Sequence, residues 1–241
     1  MSGGRNSPLA AVVDAEAGRV FVKGIRGDHR TVITQDREAE LGPHVRPVAP
    51  AVLWHLPDAG GWNVLGFEYV EGRHADYAPG SPDLPAVVDV MARIGQIHCP
   101  DTAPVRDARR SFASYVDGPA ELLGGDTLLH TDYNPENVLI TANGGARLID
   151  WAWPGRGAAW IDPCVLVVRL IAAGHAPEHA EGCVGGVPAW QTASAEGIDV
   201  FAAASVRLWA EIAENDPQPW KRDMAKAAQQ WRDFRIQLRA G

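Results

Sequence analysis

Two short β-prone runs open the hydrophobic pattern. Leu9-Ala10-Ala11-Val12-Val13 and Arg19-Val20-Phe21-Val22-Lys23 flank the turn-rich Asp14-Ala15-Glu16-Ala17-Gly18, so Leu9 to Gly24 reads as a hairpin. Alternation in the second run puts Arg19, Phe21 and Lys23 on one face and Val20 and Val22 on the other. The period then lengthens. From Thr31 to Val45 the spacing predicts a helix, ended by Gly42-Pro43 or soon after, with Glu38, Leu41 and Val45 on one face. Glu40 lies two residues from Glu38 and points elsewhere. Ala51–Leu56 and Trp62–Val70 read as two more strands around Pro57-Asp58-Ala59-Gly60-Gly61, a turn signal.

A loop rich in Gly, Pro and Asp runs from Glu71 to Pro82, and after it Leu84, Val87, Val88, Met91 and Ile94 keep helical spacing. Two apolar runs, Leu128–Ile140 and Arg147–Trp151, surround the hairpin-type turn Asn143-Gly144-Gly145. The remainder reads as helical. Val200, Ala204, Leu208 and Ile212 mark one amphipathic helix; Trp220, Met224, Ala227, Trp231, Phe234 and Leu238 mark another. The change of texture near residue 70 divides an α+β chain into a β-rich lobe, residues 1–70, and a mainly helical lobe, residues 73–241, with a hinge at 67–72.

Composition narrows the class. Over 241 residues, 46% hydrophobic and 22% charged content is globular rather than disordered. A net charge of −8 leaves no basic surplus for a nucleic-acid partner. The longest apolar run, Val165 to Ala173, is broken by Arg169 and is too short to span a bilayer, so no membrane partner is expected. Without a secretory signal in view, the expected location is cytoplasmic. Three widely spaced cysteines, Cys99, Cys164 and Cys183, give neither a disulfide framework nor a zinc cluster. Of the 22 basic residues only Lys23, Lys221 and Lys226 are lysines, so Lys23 stands alone among the arginines of the first 220 positions. A compact ammonium there does something a guanidinium fork cannot.

The densest chemistry lies in Leu128-Leu129-His130-Thr131-Asp132-Tyr133-Asn134-Pro135-Glu136-Asn137-Val138-Leu139-Ile140, followed by Leu148-Ile149-Asp150-Trp151. Asp132 and Asn137 face a common point if the chain turns at Asn134-Pro135, and Asp150 arrives from the far end of the hairpin. A carboxylate with a carboxamide oxygen suits Mg²⁺, which completes its shell with water and phosphates.

H-x-D-x-x-x-x-N followed a dozen residues on by I-D-W resembles the catalytic signature of the aminoglycoside phosphotransferase family, small-molecule kinases that share the protein-kinase fold. Phe21-Val22-Lys23-Gly24 is similar to the strand that carries the nucleotide lysine. Arg37-Glu38-Ala39-Glu40-Leu41 resembles the helix with its glutamate partner, and Gly66-Phe67-Glu68-Tyr69-Val70-Glu71-Gly72 the interlobe hinge. The resemblance implies a two-lobed protein-kinase-like fold, its β-rich lobe N-terminally shortened, and ATP and Mg²⁺ as cofactors. It implies that Asp132 orients the acceptor hydroxyl, Asn137 and Asp150 hold the metal, Lys23 holds the phosphates with Glu38 behind it, and the main chain of Glu68 and Val70 meets adenine. The expected activity is transfer of the γ-phosphate to a hydroxyl of a small molecule such as an aminoglycoside. A choline, homoserine or sugar kinase and a nucleotide-binding pseudokinase are the alternatives.

Other positions have plainer readings. His98 ends an apolar helix and is expected to be packed, and His130 to brace the catalytic loop. Asp162, before Pro163, suits a helix N-cap as well as a family position. Gly3-Gly4-Arg5-Asn6-Ser7 resembles the remnant of a phosphate-covering loop. Glu178, Glu181, Glu196, Asp199, Glu211, Glu214 and Asp216 offer the carboxylates that an amine-rich acceptor needs, although charged residues on helices are mostly solvated faces.

Overall fold

A computed structural model describes residues 8–16 and 18–240. Strands β1 (Leu9–Ala15) and β2 (Gly18–Arg26) form the expected hairpin, with Lys23 opposite Ala10. Helix α1 (Val32–Val45) follows, then β3 (Val52–Leu56) and β4 (Trp62–Glu68), giving an antiparallel sheet of order β1-β2-β4-β3. Glu38, Leu41 and Val45 are buried on α1, Glu40 is exposed, and Pro43 lies in the last turn. A methyl group at Gly42 would come within 2.5 Å of Val52, so glycine lets α1 lie close against β3. The suggested phosphate-covering loop, Gly3 to Ser7, lies outside the described residues.

After Tyr69–Glu71 the chain joins different partners. Strand β5 (Gly72–His74) pairs with β8 (Val138–Thr141), and β8 pairs with β9 (Ala146–Leu148) in the hairpin around Asn143-Gly144-Gly145. Between β5 and β8 come α2 (Leu84–Ile94), β6 (Arg106–Asp107), the short α3 (Ala108–Ser111) and β7 (Thr127–Leu129). Strand β10 (Gly155–Gly157) runs between β6 and β7. The Leu128–Ile140 run therefore serves two sheets, and the loop expected at Glu71–Pro82 contains a strand.

The rest is helical: α4 (Ile161–Ala172), α5 (Pro177–Val184), the short α6 (Pro188–Gln191), α7 (Ala195–Asn215) and α8 (Pro219–Ala240). Helix α4 contains most of the apolar run noted as too short for a membrane. It is buried on nearly every side, packed among α5, α7 and α8. Leu166, Val167 and Leu170 on it are fully buried, each contributing roughly 1.5–3 kcal/mol through loss of hydrated surface. No described helix is long and apolar enough to cross a membrane. His98, expected to be packed, is exposed, because the chain leaves α2 four residues earlier and bridges to Thr127.

Candidate active site

The loop from His130 to Asn137 is held from behind. Asp162 is 2% exposed and takes the His130 amide on Oδ2 at 2.9 Å and the Thr131 amide on Oδ1 at 3.0 Å. The buried Tyr133 hydroxyl donates to the same carboxylate at 3.4 Å. Burial pushes Asp162 above the usual carboxylate range, against the pull of those two amides. The N-cap reading of Asp162 is corrected: it lies inside α4, whose N-cap is Trp160, and its acceptors face the loop.

Thr131 adopts φ +64°, a backbone that an L residue enters at a cost, and its hydroxyl donates to the Trp153 carbonyl at 2.7 Å. His130 braces the loop as expected. The Asp132 amide donates to its Nδ1 at 3.3 Å, so Nε2 carries the proton and donates to the Ile149 carbonyl at 3.0 Å.

Beyond Asp132 the chain turns at Asn134-Pro135 into a single 3-10 turn, Pro135–Asn137. The Asn137 carboxamide returns to donate to Asp132 Oδ2 at 2.9 Å. With its nitrogen committed there, the amide oxygen is the atom left for a cation. Asp150 follows β9 at φ +62°, and the Ile149 amide ties its loop to the Asn137 carbonyl at 2.9 Å.

Lys23 reaches this point from β2. Its Nζ sits 2.7 Å from Glu38 Oε2 and 3.1 Å from Asp150 Oδ1. Glu38 also accepts the Trp151 amide at 3.3 Å. Burial alone would lower the Lys23 ammonium; the two carboxylates outweigh it and hold the group above its ordinary value. Burial, with Asp150 nearby, pushes Glu38 upward against Lys23. Two carboxylates thus share one ammonium, and the excess negative charge suits a cation.

Five of the seven expected site residues are therefore brought together in one group: Lys23, Glu38, Asp132, Asn137 and Asp150. Glu68 ends β4 and Val70 lies in the linker after it, and no described hydrogen bond joins either to that group. The Glu68 amide is taken by the Ala51 carbonyl at 2.8 Å.

Arg169 was missed. It comes from α4 and donates to Asp132 Oδ1 at 2.8 Å. Its guanidinium carbon lies 5.4 Å from the Trp209 ring and 5.7 Å from the Trp220 ring. The available signal was a lone cation in an apolar helix, since a buried charge must be paired. Three of the seven C-terminal carboxylates are engaged elsewhere. Glu181 and Asp199 bind Arg235, Asp199 also binds Arg239, and Asp216 pairs with Lys221, while Glu178, Glu196, Glu211 and Glu214 are exposed.

Solved structures share this architecture. Choline kinase LicA from Streptococcus pneumoniae superposes with TM-score 0.65 at 15% identity, covering 96% of this chain and 92% of that one. An aminoglycoside phosphotransferase from Alicyclobacillus acidocaldarius gives TM-score 0.60 at 14% identity, with 98% and 93% covered. A thermostable aminoglycoside phosphotransferase APH(4)-Ia, in ternary complex with ADP and hygromycin B, gives TM-score 0.55 at 16% identity, with 100% and 93% covered. The chain has the two-lobed, protein-kinase-like fold of these phosphotransferases. In sequence, a probable kinase, PglW, from Streptomyces coelicolor is 28% identical over 178 residues, which is 66% of this chain but 11% of that much longer protein. No family model matches the chain.

Proposed function

We propose that the protein transfers the γ-phosphoryl group of ATP to a hydroxyl of a small molecule. The observation that carries this reading is the convergence of Asp132, Asn137, Asp150 and the Lys23–Glu38 pair in one group. Asp132 has a side chain one-third exposed and receives the hydroxyl proton as the oxygen forms its bond to phosphorus and ADP departs. Little proton transfer is needed before the loose transition state, so the gain comes from positioning and charge. Lys23 holds the α- and β-phosphates, kept in place by Glu38. The Glu68 carbonyl and the Val70 main chain meet the adenine edge.

Asn137 and Asp150 fit Mg²⁺. They offer two hard oxygens, the donors Mg²⁺ takes when water and substrate phosphates complete its shell. When bound, the ion would neutralise charge on the phosphates. The test is an ATP-consumption screen against aminoglycosides, other hydroxylated antibiotics, choline, homoserine and sugars. Asp132→Asn should bind nucleotide normally but lose turnover by ~10²–10⁴-fold, the range for a positioned general base. Turnover like the parent's in that variant would remove Asp132 from the reaction.

A further inference from the structure

Beside Asp132, where the proposed function puts the acceptor hydroxyl, stands a permanent cation. Arg169 uses only part of its donor fork. Nη2 donates to Asp132 Oδ1 at 2.8 Å, whereas Nε, on the same edge of the guanidinium, is buried without a partner. Tyr77, 3% exposed in the segment after β5, has a buried hydroxyl that also lacks a partner. That hydroxyl feels both the Arg169 guanidinium and the Asp132 carboxylate, and burial raises it far above physiological pH, so it stays a neutral donor. Each of these buried donors is costly unless an oxygen atom meets it.

The surroundings exclude the opposite charge. Trp209 and Trp220 form the aromatic wall on which an ammonium could rest, but their faces hold the protein's own guanidinium. Three of the C-terminal carboxylates, Glu181, Asp199 and Asp216, are tied to Arg235, Arg239 and Lys221. Arg169 cannot release its proton to relieve a cationic visitor.

We propose that Arg169, with Tyr77, makes the acceptor site selective for hydroxyl compounds that carry a carboxylate or similar oxyanion, and against amines. The proposal rests on the phosphotransferase reading and names the acceptor class for it. One oxygen of the oxyanion takes the Arg169 Nε–H and the Tyr77 O–H, and this anchors the acceptor with its hydroxyl toward Asp132.

Two matched sets isolate charge on a constant hydroxyl frame: gluconate, glucitol and glucamine; and glycerate, glycerol and 3-amino-1,2-propanediol. ADP release is measured for each, and binding is measured separately by saturation-transfer NMR with and without ATP. The carboxylate member should exceed the amine in kcat/KM by at least ~10²-fold, a floor below the ~10⁴–10⁵-fold by which a site built for a polar group rejects an analogue lacking it. Arg169→Gln should cut that ratio at least ~10-fold, Arg169→Lys should restore part of it, and Tyr77→Phe should raise KM for the carboxylate more than it lowers kcat. Preference for an amine, an unchanged ratio in a folded Arg169→Gln, or no binding by either carboxylate overturns the proposal. If carboxylates bind in an Arg169-dependent way but ATP does not bind, the phosphotransferase reading falls and the anion site stands.

Discussion

Lys23 holds a position where a chain with nineteen arginines used one of its three lysines, and the geometry gives the reason. Its Nζ fits between Glu38 and Asp150 at 2.7 and 3.1 Å, a gap that a planar fork would force open. Lys23→Arg should therefore lose nearly as much ATP turnover as Lys23→Ala, since misplacing reacting groups by about 1 Å costs on the order of 10²-fold. Melting temperatures of both variants guard against unfolding, and an arginine variant with most of its turnover would make Lys23 a generic cation. Asp162 works differently, because it touches only loop amides and Tyr133. Removing it as Asp162→Ala strands two buried N–H donors and should cost about 2–4 kcal/mol in denaturant unfolding, with activity lost as Asp132 drifts. Stability unchanged within ~0.5 kcal/mol would deny it that role. The motif residues were legible because the spacing of H-x-D-x-x-x-x-N and I-D-W survives in one dimension. Arg169 was not, because its partner Asp132 lies 37 residues away on another element. Tyr77 was hidden in a stretch whose Gly, Pro and Asp content said only that it turns.

Local pattern located the elements well and their faces less well. The hairpin, α1 and α2 follow from period alone. Glu38, Leu41 and Val45 on α1 and Val87, Met91 and Ile94 on α2 are buried as their spacing picks out, whereas Leu84 and Val88 are half-buried and Val90 is buried unannounced. On α7 the buried set is Gly197, Ile198, Phe201, Ala202, Ala204 and Ser205, so of the stripe Val200, Ala204, Leu208 and Ile212 only Ala204 is buried and the other three are half-buried. On α8 the stripe runs on past the core, and Leu238 is 55% exposed. Strand β5 escaped notice because three residues carry no period. Gly72 begins it with the Ile140 carbonyl only 2.5 Å from where a methyl group would stand, a close approach that pattern cannot reveal. This short strand is strapped to α2: Asp83 is 4% exposed, receives two Arg73 N–H groups at 2.5 and 2.6 Å, and takes the Asp76 amide at 2.8 Å. The Arg73 bonds, with the Asp76 amide, hold Asp83 below the usual carboxylate range. A depressed native value stabilises above the unfolded pKa of ~3.9 and ceases to do so as pH falls through the native one. The melting-temperature gap between the parent and Asp83→Asn should therefore be steady near neutrality and shrink below about pH 4. A gap that widens in acid would contradict the assignment.

Leu41, Val45, Val48 and Ala49 of the small lobe share the core of the large one, and Lys23 adds a polar link between them. It ties β2 and α1 of the small lobe to Asp150 of the large lobe, and Glu38 adds a bond to the Trp151 amide. The shared ammonium links the two lobes directly. The radius of gyration in small-angle scattering should then be close to the ~18 Å of a compact chain of this length and should hardly change when ATP and Mg²⁺ are added. Lys23→Met should expand the nucleotide-free form and make it contract on nucleotide; a parent that itself contracts by more than ~1 Å would show that the bridge does not hold the lobes. Lobes linked in this way have little shape with which to report a ligand's arrival. A nucleotide bound as proposed would instead alter the charge there, by adding phosphates beside Lys23 while Glu38 stays behind it. Any neighbour that had to tell a loaded copy from an empty one would have to sense that field, and its discrimination would fade as salt is raised.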